Sequence, residues 1–242
     1  SGIAGLRLGQ GRREDALGAY KRLVEVAPHD PAALVSVTQV LVDMGRLDEA
    51  VEQAEAALAV LPETDHRWRA SAHRMLMRFA LARRDEATAR AEAKRAEDTD
   101  PEMPLTDYVE GLIAHRDGRF AEALPHFEAS LRRSQGRTFQ MPDVRYYLAD
   151  TLARLNRYAE AERLFREELR YFPASARSRA GLAMLYQAQG RPREAEAEIE
   201  QMLRTTPNPE SFKLAEQLWT MFGEPERAAA VRVRARQAGT SR

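Results

Sequence analysis

Asn156-Arg157-Tyr158-Ala159-Glu160-Ala161 returns 34 residues later as Gly190-Arg191-Pro192-Arg193-Glu194-Ala195. Working outward, the same unit stands at Gly11-Arg12-Arg13-Glu14-Asp15-Ala16, at Gly45-Arg46-Leu47-Asp48-Glu49-Ala50 and at Gly118-Arg119-Phe120-Ala121-Glu122-Ala123. Gly11 and Gly45 are 34 apart, as are Pro28 and Pro62, and Pro173 and Pro207. Two weaker copies are Ala82-Arg83-Arg84-Asp85-Glu86-Ala87 and Gly223-Glu224-Pro225-Glu226-Arg227-Ala228. A fixed period of this length is the signature of a repeat architecture.

Each position in the unit has a physical role. Gly or Asn ends a first helix in the left-handed conformation and lets the last carbonyls find donors. Acidic residues then open a second helix, where the positive end of its dipole favours them. The Ala five places after the Gly lets two helices approach closely, and a large apolar residue follows four later: Tyr20, Phe127, Phe165, Ile199. The second helix stops before a proline, which disfavours helical backbone at the preceding residue. The pattern describes helices of roughly 12–15 residues joined by tight turns. One such pair cannot bury its own apolar stripe, so the pairs must stack. The expectation is an all-α solenoid of about seven antiparallel pairs, over residues 1–27, 31–61, 65–99, 104–133, 141–172, 175–206 and 209–237, with an enlarged connection at 132–143. That connection is expected to be the most mobile internal segment, with Phe139 and Met141 tucked onto the solenoid or waiting for a partner.

The unit resembles the tetratricopeptide repeat over essentially the whole chain. The family's first helix carries a Leu-Gly or Leu-Ala step, matched here by Leu148-Ala149 and Leu182-Ala183 and approached by Val37-Thr38 and Glu110-Gly111. The resemblance implies a right-handed superhelix whose first helices line a concave face that holds proteins or peptides. Transferred by register, that face takes Gln39 and Asp43 from the second pair. The fourth pair gives Tyr108, Leu112 and His115, the fifth Tyr146, Asp150 and Arg154, and the sixth Arg177, Met184 and Gln187. The third pair is about three residues too long, with Lys94-Arg95 where the family has Ala-Leu, so its register is ambiguous and points to His73 and Met77. Some relatives clamp chaperone tails with Lys and Asn; none of the assigned positions holds either. Tyr, Arg and His are residue types that anchor interfaces, and Asp150 and Arg154, four apart on one helix, suit an ion pair in the absence of ligand.

Composition limits the alternatives. The 242 residues carry 37 Lys+Arg and 37 Asp+Glu, so no net charge attracts nucleic acid or an acidic membrane. Without cysteine there is no disulfide, thiolate chemistry or Cys-ligated zinc. No apolar run is long enough to span a bilayer. Of the histidines (His29, His66, His73, His115, His126), His66 and His73 share a helix face but lack a carboxylate at ligand spacing, so no metal or cofactor is expected. Gly9-Gln10-Gly11 is a helix turn, lacking the third glycine and the preceding strand of a dinucleotide loop. No catalytic motif is present, and the chain reads as a non-enzyme that binds a protein or peptide. Its basic residues are Arg except for Lys21, Lys94 and Lys213, in keeping with a GC-rich bacterial source, cytoplasmic or periplasmic. Ile3, Leu6 and Leu8 leave the first helix apolar, which suggests preceding protein or self-association through that helix, whereas the charged 225–237 suits a cap. The competing reading is the non-catalytic arm of a larger bacterial hydrolase or glycosyltransferase.

Overall fold

The computed structural model describes residues 13–136 and 140–240. The described residues form helices joined by short turns and no strand: α1 (Arg13–Val26), α2 (Pro31–Asp43), α3 (Leu47–Val60), α4 (His66–Ala82), α5 (Glu86–Thr99), α6 (Leu105–Arg116), α7 (Phe120–Ser134), α8 (Val144–Arg154), α9 (Tyr158–Tyr171), α10 (Ala176–Ala188), α11 (Pro192–Thr205), α12 (Pro209–Met221) and α13 (Pro225–Thr240). The apolar start of the chain and Phe139 lie outside the described residues.

One backbone device sets the rhythm. Gly45, Gly118, Gly190 and Gly223 have φ between 71° and 77°, and Asn156 and Arg84 adopt the same left-handed region at 61° and 60°. After each of these residues the next N–H donates to the carbonyl five residues back: Arg46 to Leu41, Asp85 to Ala80, Arg119 to Ala114, Arg157 to Leu152, Arg191 to Tyr186 and Glu224 to Trp219. That bond satisfies a carbonyl the helix end would leave without a donor.

The turn at Arg84 corrects the third copy. The left-handed residue is Arg84 rather than Ala82, so the buried Ala is Ala89, not Ala87, which is exposed. Arg84 and Gly118 are then 34 apart. The extra length is absorbed by α4, a helix of 17 residues. Ala93 and Ala96 fill the α5 side of this pair, where the shifted reading had placed Lys94 and Arg95.

With the register set, the small residue five places after each described turn is Ala50, Ala89, Ala123, Ala161, Ala195 and Ala228, and all are buried, as is Ala16 in α1. Four places further, Tyr20, Ala54, Ala93, Phe127, Phe165 and Ile199 are buried too. A larger side chain at the first set has no free volume to enter. Ala161→Leu is expected to cost about 1–3 kcal/mol by overpacking, read as a lower urea midpoint; an unchanged midpoint would place Ala161 away from the crossing. The entries to α3, α9, α7 and α11 are tied down by Arg–carboxylate pairs three residues apart, Arg46–Glu49 at 2.5 Å, Arg157–Glu160 at 2.7 Å, Arg119–Glu122 at 2.5 Å, and Arg191–Glu194. These pairs are solvent-facing and orient the turns more than they stabilise the fold.

The helices fall into two compact units, Ser1–Ile113 and Ala114–Arg242. Within the first, α2 packs on α4 as well as on α3; within the second, the first helices α8, α10 and α12 pack in a row, each also against its own second helix. The longer connection after α7 enters α8 through Asp143, whose φ is 69°. Met141 on this connection is buried.

Candidate functional site

The second unit gathers the polar and aromatic side chains of its first helices on one face. His115 comes from the end of α6, Tyr146, Tyr147, Asp150 and Arg154 from α8, and Arg177 from α10. Asp150 is the hub. Its Oδ2 lies 2.7 Å from His115 Nε2 and 3.7 Å from Arg154 Nε. The Arg154 guanidinium also sits 5.7 Å above the Phe120 ring. His115 meets Phe120 and Tyr147 edge-on, at 5.3 and 5.5 Å between ring centres. Tyr147 stacks on Phe127 at 5.8 Å, and Tyr146 contacts Tyr147 at 5.0 Å and Phe165 at 5.9 Å. The face is therefore an aromatic floor rooted in the core. Burial pushes the Tyr146 hydroxyl pKa up, Asp150 adds to the shift, and Arg177 opposes it. Tyr146 stays neutral and offers a hydroxyl. Arg177 is exposed, with Nη1 4.0 Å from Asp143 Oδ2. Such an arrangement has the chemistry to hold a planar anionic group against rings.

The remaining assigned residues are distributed as follows. Met184 and Gln187 are half-buried on α10. In the first unit Tyr108 is buried and Leu112 half-buried on α6. Gln39 is exposed and lines an open pocket of about 140 Å³ with Val42, Leu47, Met75, Arg78, Phe79 and Ala82. Asp43 ends α2, and its side chain lies outside what the structure describes. The third pair's two assignments are overturned. His73 Nδ1 lies 2.7 Å from Glu92 of α5, inside its own helix pair, and Met77 is fully buried. Gln39, Leu112, Asp150 and Met184 each stand six residues before their left-handed turn, and counting back from Arg84 makes Arg78 the α4 member of that set. Arg78, Tyr147 and Asp143 were missed from the sequence. The 34-residue step back from Gly118 to Arg84 is the signal that would have found Arg78.

Among the described residues no group of three or more His, Cys, Asp or Glu is placed to hold a metal ion, and no helix is long and apolar enough to cross a membrane. Fold and site together define an all-helical repeat scaffold for protein interaction. The chain belongs to the tetratricopeptide repeat family: one family model matches residues 7–76, 114–167 and 155–218, and a second matches 78–138. Members of this family are generally non-catalytic scaffolds. The chain is 26% identical over 166 residues to cellulose synthase operon protein C of Pseudomonas fluorescens strain SBW25, a match covering 66% of this chain and 12% of that protein. Among solved structures it is similar to a chain of the APC/C hetero-tetramer Cut9–Hcn1, with TM-score 0.62, 16% identity and coverage of 91% of this chain and 41% of that one. A tetratricopeptide repeat protein from Parabacteroides merdae ATCC 43184 matches with TM-score 0.54 and 20% identity, covering 97% of this chain and 90% of that one. At these identities the structural matches show a shared fold.

Proposed function

We propose that the face built by His115, Tyr146, Asp150, Arg154 and Arg177 binds an extended segment of a partner protein that carries an acidic group. The observation that carries this reading is the pair of half-exposed guanidiniums. Arg154 and Arg177 approach their carboxylates only at 3.7 and 4.0 Å, beyond hydrogen-bond length. Arg154 stands over the Phe120 ring, and Arg177 lies within electrostatic reach of Tyr146 and Tyr147. A ligand carboxylate can therefore take either fork in two parallel bonds without breaking a strong internal one. Tyr146 supplies contact area with few rotamers to freeze. With no net charge on the chain, nucleic acid is a poor competitor for the face. The test is selection of a random peptide library on the wild type and on a folded Tyr146→Ala/Arg154→Ala variant. The reading expects acidic peptides enriched on the wild type and lost from the variant. The same peptides emerging from both would refute it.

A second reading is favoured by the match to only 12% of cellulose synthase operon protein C: these repeats serve as a non-catalytic helical arm of a larger bacterial protein. An antibody against the chain would then detect a species far above 27.3 kDa in the source cell; a single band at that mass would contradict it. The two readings are compatible, since an arm can present the same face.

A further inference from the structure

The crossing that joins one pair to the next changes character at the α12–α13 pair. Seven residues before the left-handed turn, the fourth to sixth pairs carry Gly111, Ala149 and Ala183, all buried. Nine residues after it they carry Phe127, Phe165 and Ile199, also buried. Phe165 shows what this second position meets. Its ring lies against Gly181 of α10, the first helix of the following pair, where an added Cβ would stand 2.5 Å from it. In the α12–α13 pair the same two positions hold Glu216 and Arg232, joined at 3.3 Å. Ala180 and Leu203, both buried in the α10–α11 pair, correspond to Lys213 and Arg236. A small-and-large apolar crossing has been replaced by charges.

The groove itself keeps its shape. α12 packs on both α10 and α11, so the groove between two paired helices is where a further helix lies. Between the start of α12 and the end of α13 the corresponding groove is an open cavity of about 310 Å³. Pro209, Phe212 and Ala235 give it an apolar floor, and Lys213, Glu216, Arg232 and Arg236 line its edges. Three cations against one carboxylate leave this lining at +2, on a chain with no net charge. Lys213 is exposed and has no ion-pair partner among the described residues. The Arg232–Glu216 pair is largely solvent-facing and holds its groups only weakly. A helix-wide apolar floor under a basic edge is complementary to one kind of helix: apolar along a stripe, acidic beside it.

We propose that the α12–α13 groove docks an amphipathic helix of a partner protein, with the helix's apolar stripe over Phe212 and Ala235 and its acidic residues on Lys213 and Arg236. The register explains both halves of the preference. Repeat geometry supplies the groove for a helix, and the substitution of Lys213 and Arg236 for Ala180 and Leu203 selects an acidic one. The site shares no residue with the face proposed above and does not depend on it.

The experiment titrates the isotope-labelled full chain with three synthetic peptides of about 18 residues, long enough to form a helix. The first carries a Leu stripe at helical spacing edged by Glu, the second has Lys in place of every Glu, and the third scrambles the first so that no stripe forms. The acidic striped peptide is expected to move the amide signals of Phe212, Lys213, Ala235 and Arg236. It is expected to bind at least ~10-fold more tightly than either of the others, since like charges oppose the second and the third has no apolar face. In Lys213→Glu/Arg236→Glu, where both residues are exposed, the preference is expected to invert toward the basic peptide. The wild-type signal map and the ranking of the three peptides need no variant. Absence of binding, equal affinity for the acidic and basic peptides, or equal affinity for the scrambled one would overturn the proposal. So would signal changes centred on Tyr146 and Arg154, which would assign the acidic peptide to the other face, or an unchanged preference in a folded variant.

Discussion

Phe165→Ala is expected to lower stability by about 3–5 kcal/mol, the usual range for deleting a buried ring. Phe165 is 1% exposed and sits where α9 meets α10, with Tyr146 of α8 against its other side. Gly181 on α10 is the reason the ring fits. A Cβ built there would stand 2.5 Å from Phe165 Cε1 and Cζ, closer than packed carbons come. Two opposing effects then set the outcome of Gly181→Ala. Alanine gains roughly 1 kcal/mol over glycine in a helix interior, while forcing a methyl into a filled crossing costs about 1–3 kcal/mol. In the wild-type background the clash wins, so Gly181→Ala destabilises. In the Phe165→Ala background the methyl enters the vacated volume, and the same substitution stabilises. Urea unfolding of the two single variants and the double variant measures the coupling. Additive effects would show that the two residues do not meet.

Glu168→Gln is expected to change how stability depends on pH. Burial pushes the native carboxyl up to about 7, against 4.5 for the ordinary carboxyl. Between these values the native state holds a proton that the unfolded state has lost, so this group's contribution to stability falls as pH rises. The full shift corresponds to about 3 kcal/mol between pH 4.5 and pH 8. Glu168→Gln removes that slope. Oε2 is buried without a partner; the amide nitrogen replacing it still lacks one, a cost that is the same at every pH, so the slope and not the offset is diagnostic. The difference in unfolding free energy between variant and wild type should grow in the variant's favour from pH 5 to pH 8. Parallel curves would mean that Glu168 titrates as an ordinary carboxyl.

The repeat was legible because its turns use residues that adopt the left-handed region readily. Gly45, Gly118, Gly190, Gly223 and Asn156 mark their positions in the amino-acid sequence and in the backbone alike. Arg84 does not: an arginine in that conformation costs roughly 1–2 kcal/mol, and its residue type does not announce it; only the 34-residue step back from Gly118 does. The copy was therefore read two residues early, with His73 and Met77 in place of Arg78. Asp143 and Glu168 were hidden for a different reason. Register gives the expectation of burial at position 168, but the carboxylate has a role only once the longer connection is seen to bring the Asp143 amide onto it. The aromatic floor was half legible: Tyr146 falls on the face by spacing, whereas Tyr147 turns toward His115 and Phe127 through packing that no period encodes.

The most direct test of the binding face compares it with the neighbouring second helix. Peptides selected on the wild type would be titrated against Tyr146→Ala/Arg177→Ala and against Arg163→Ala/Arg170→Ala, the latter pair being exposed on α9. The account predicts a loss of at least ~10-fold in affinity for the first variant, as truncation of interface anchors gives, and little change for the second. Unchanged binding by the first and a large loss in the second would contradict it and move the site off the first helices.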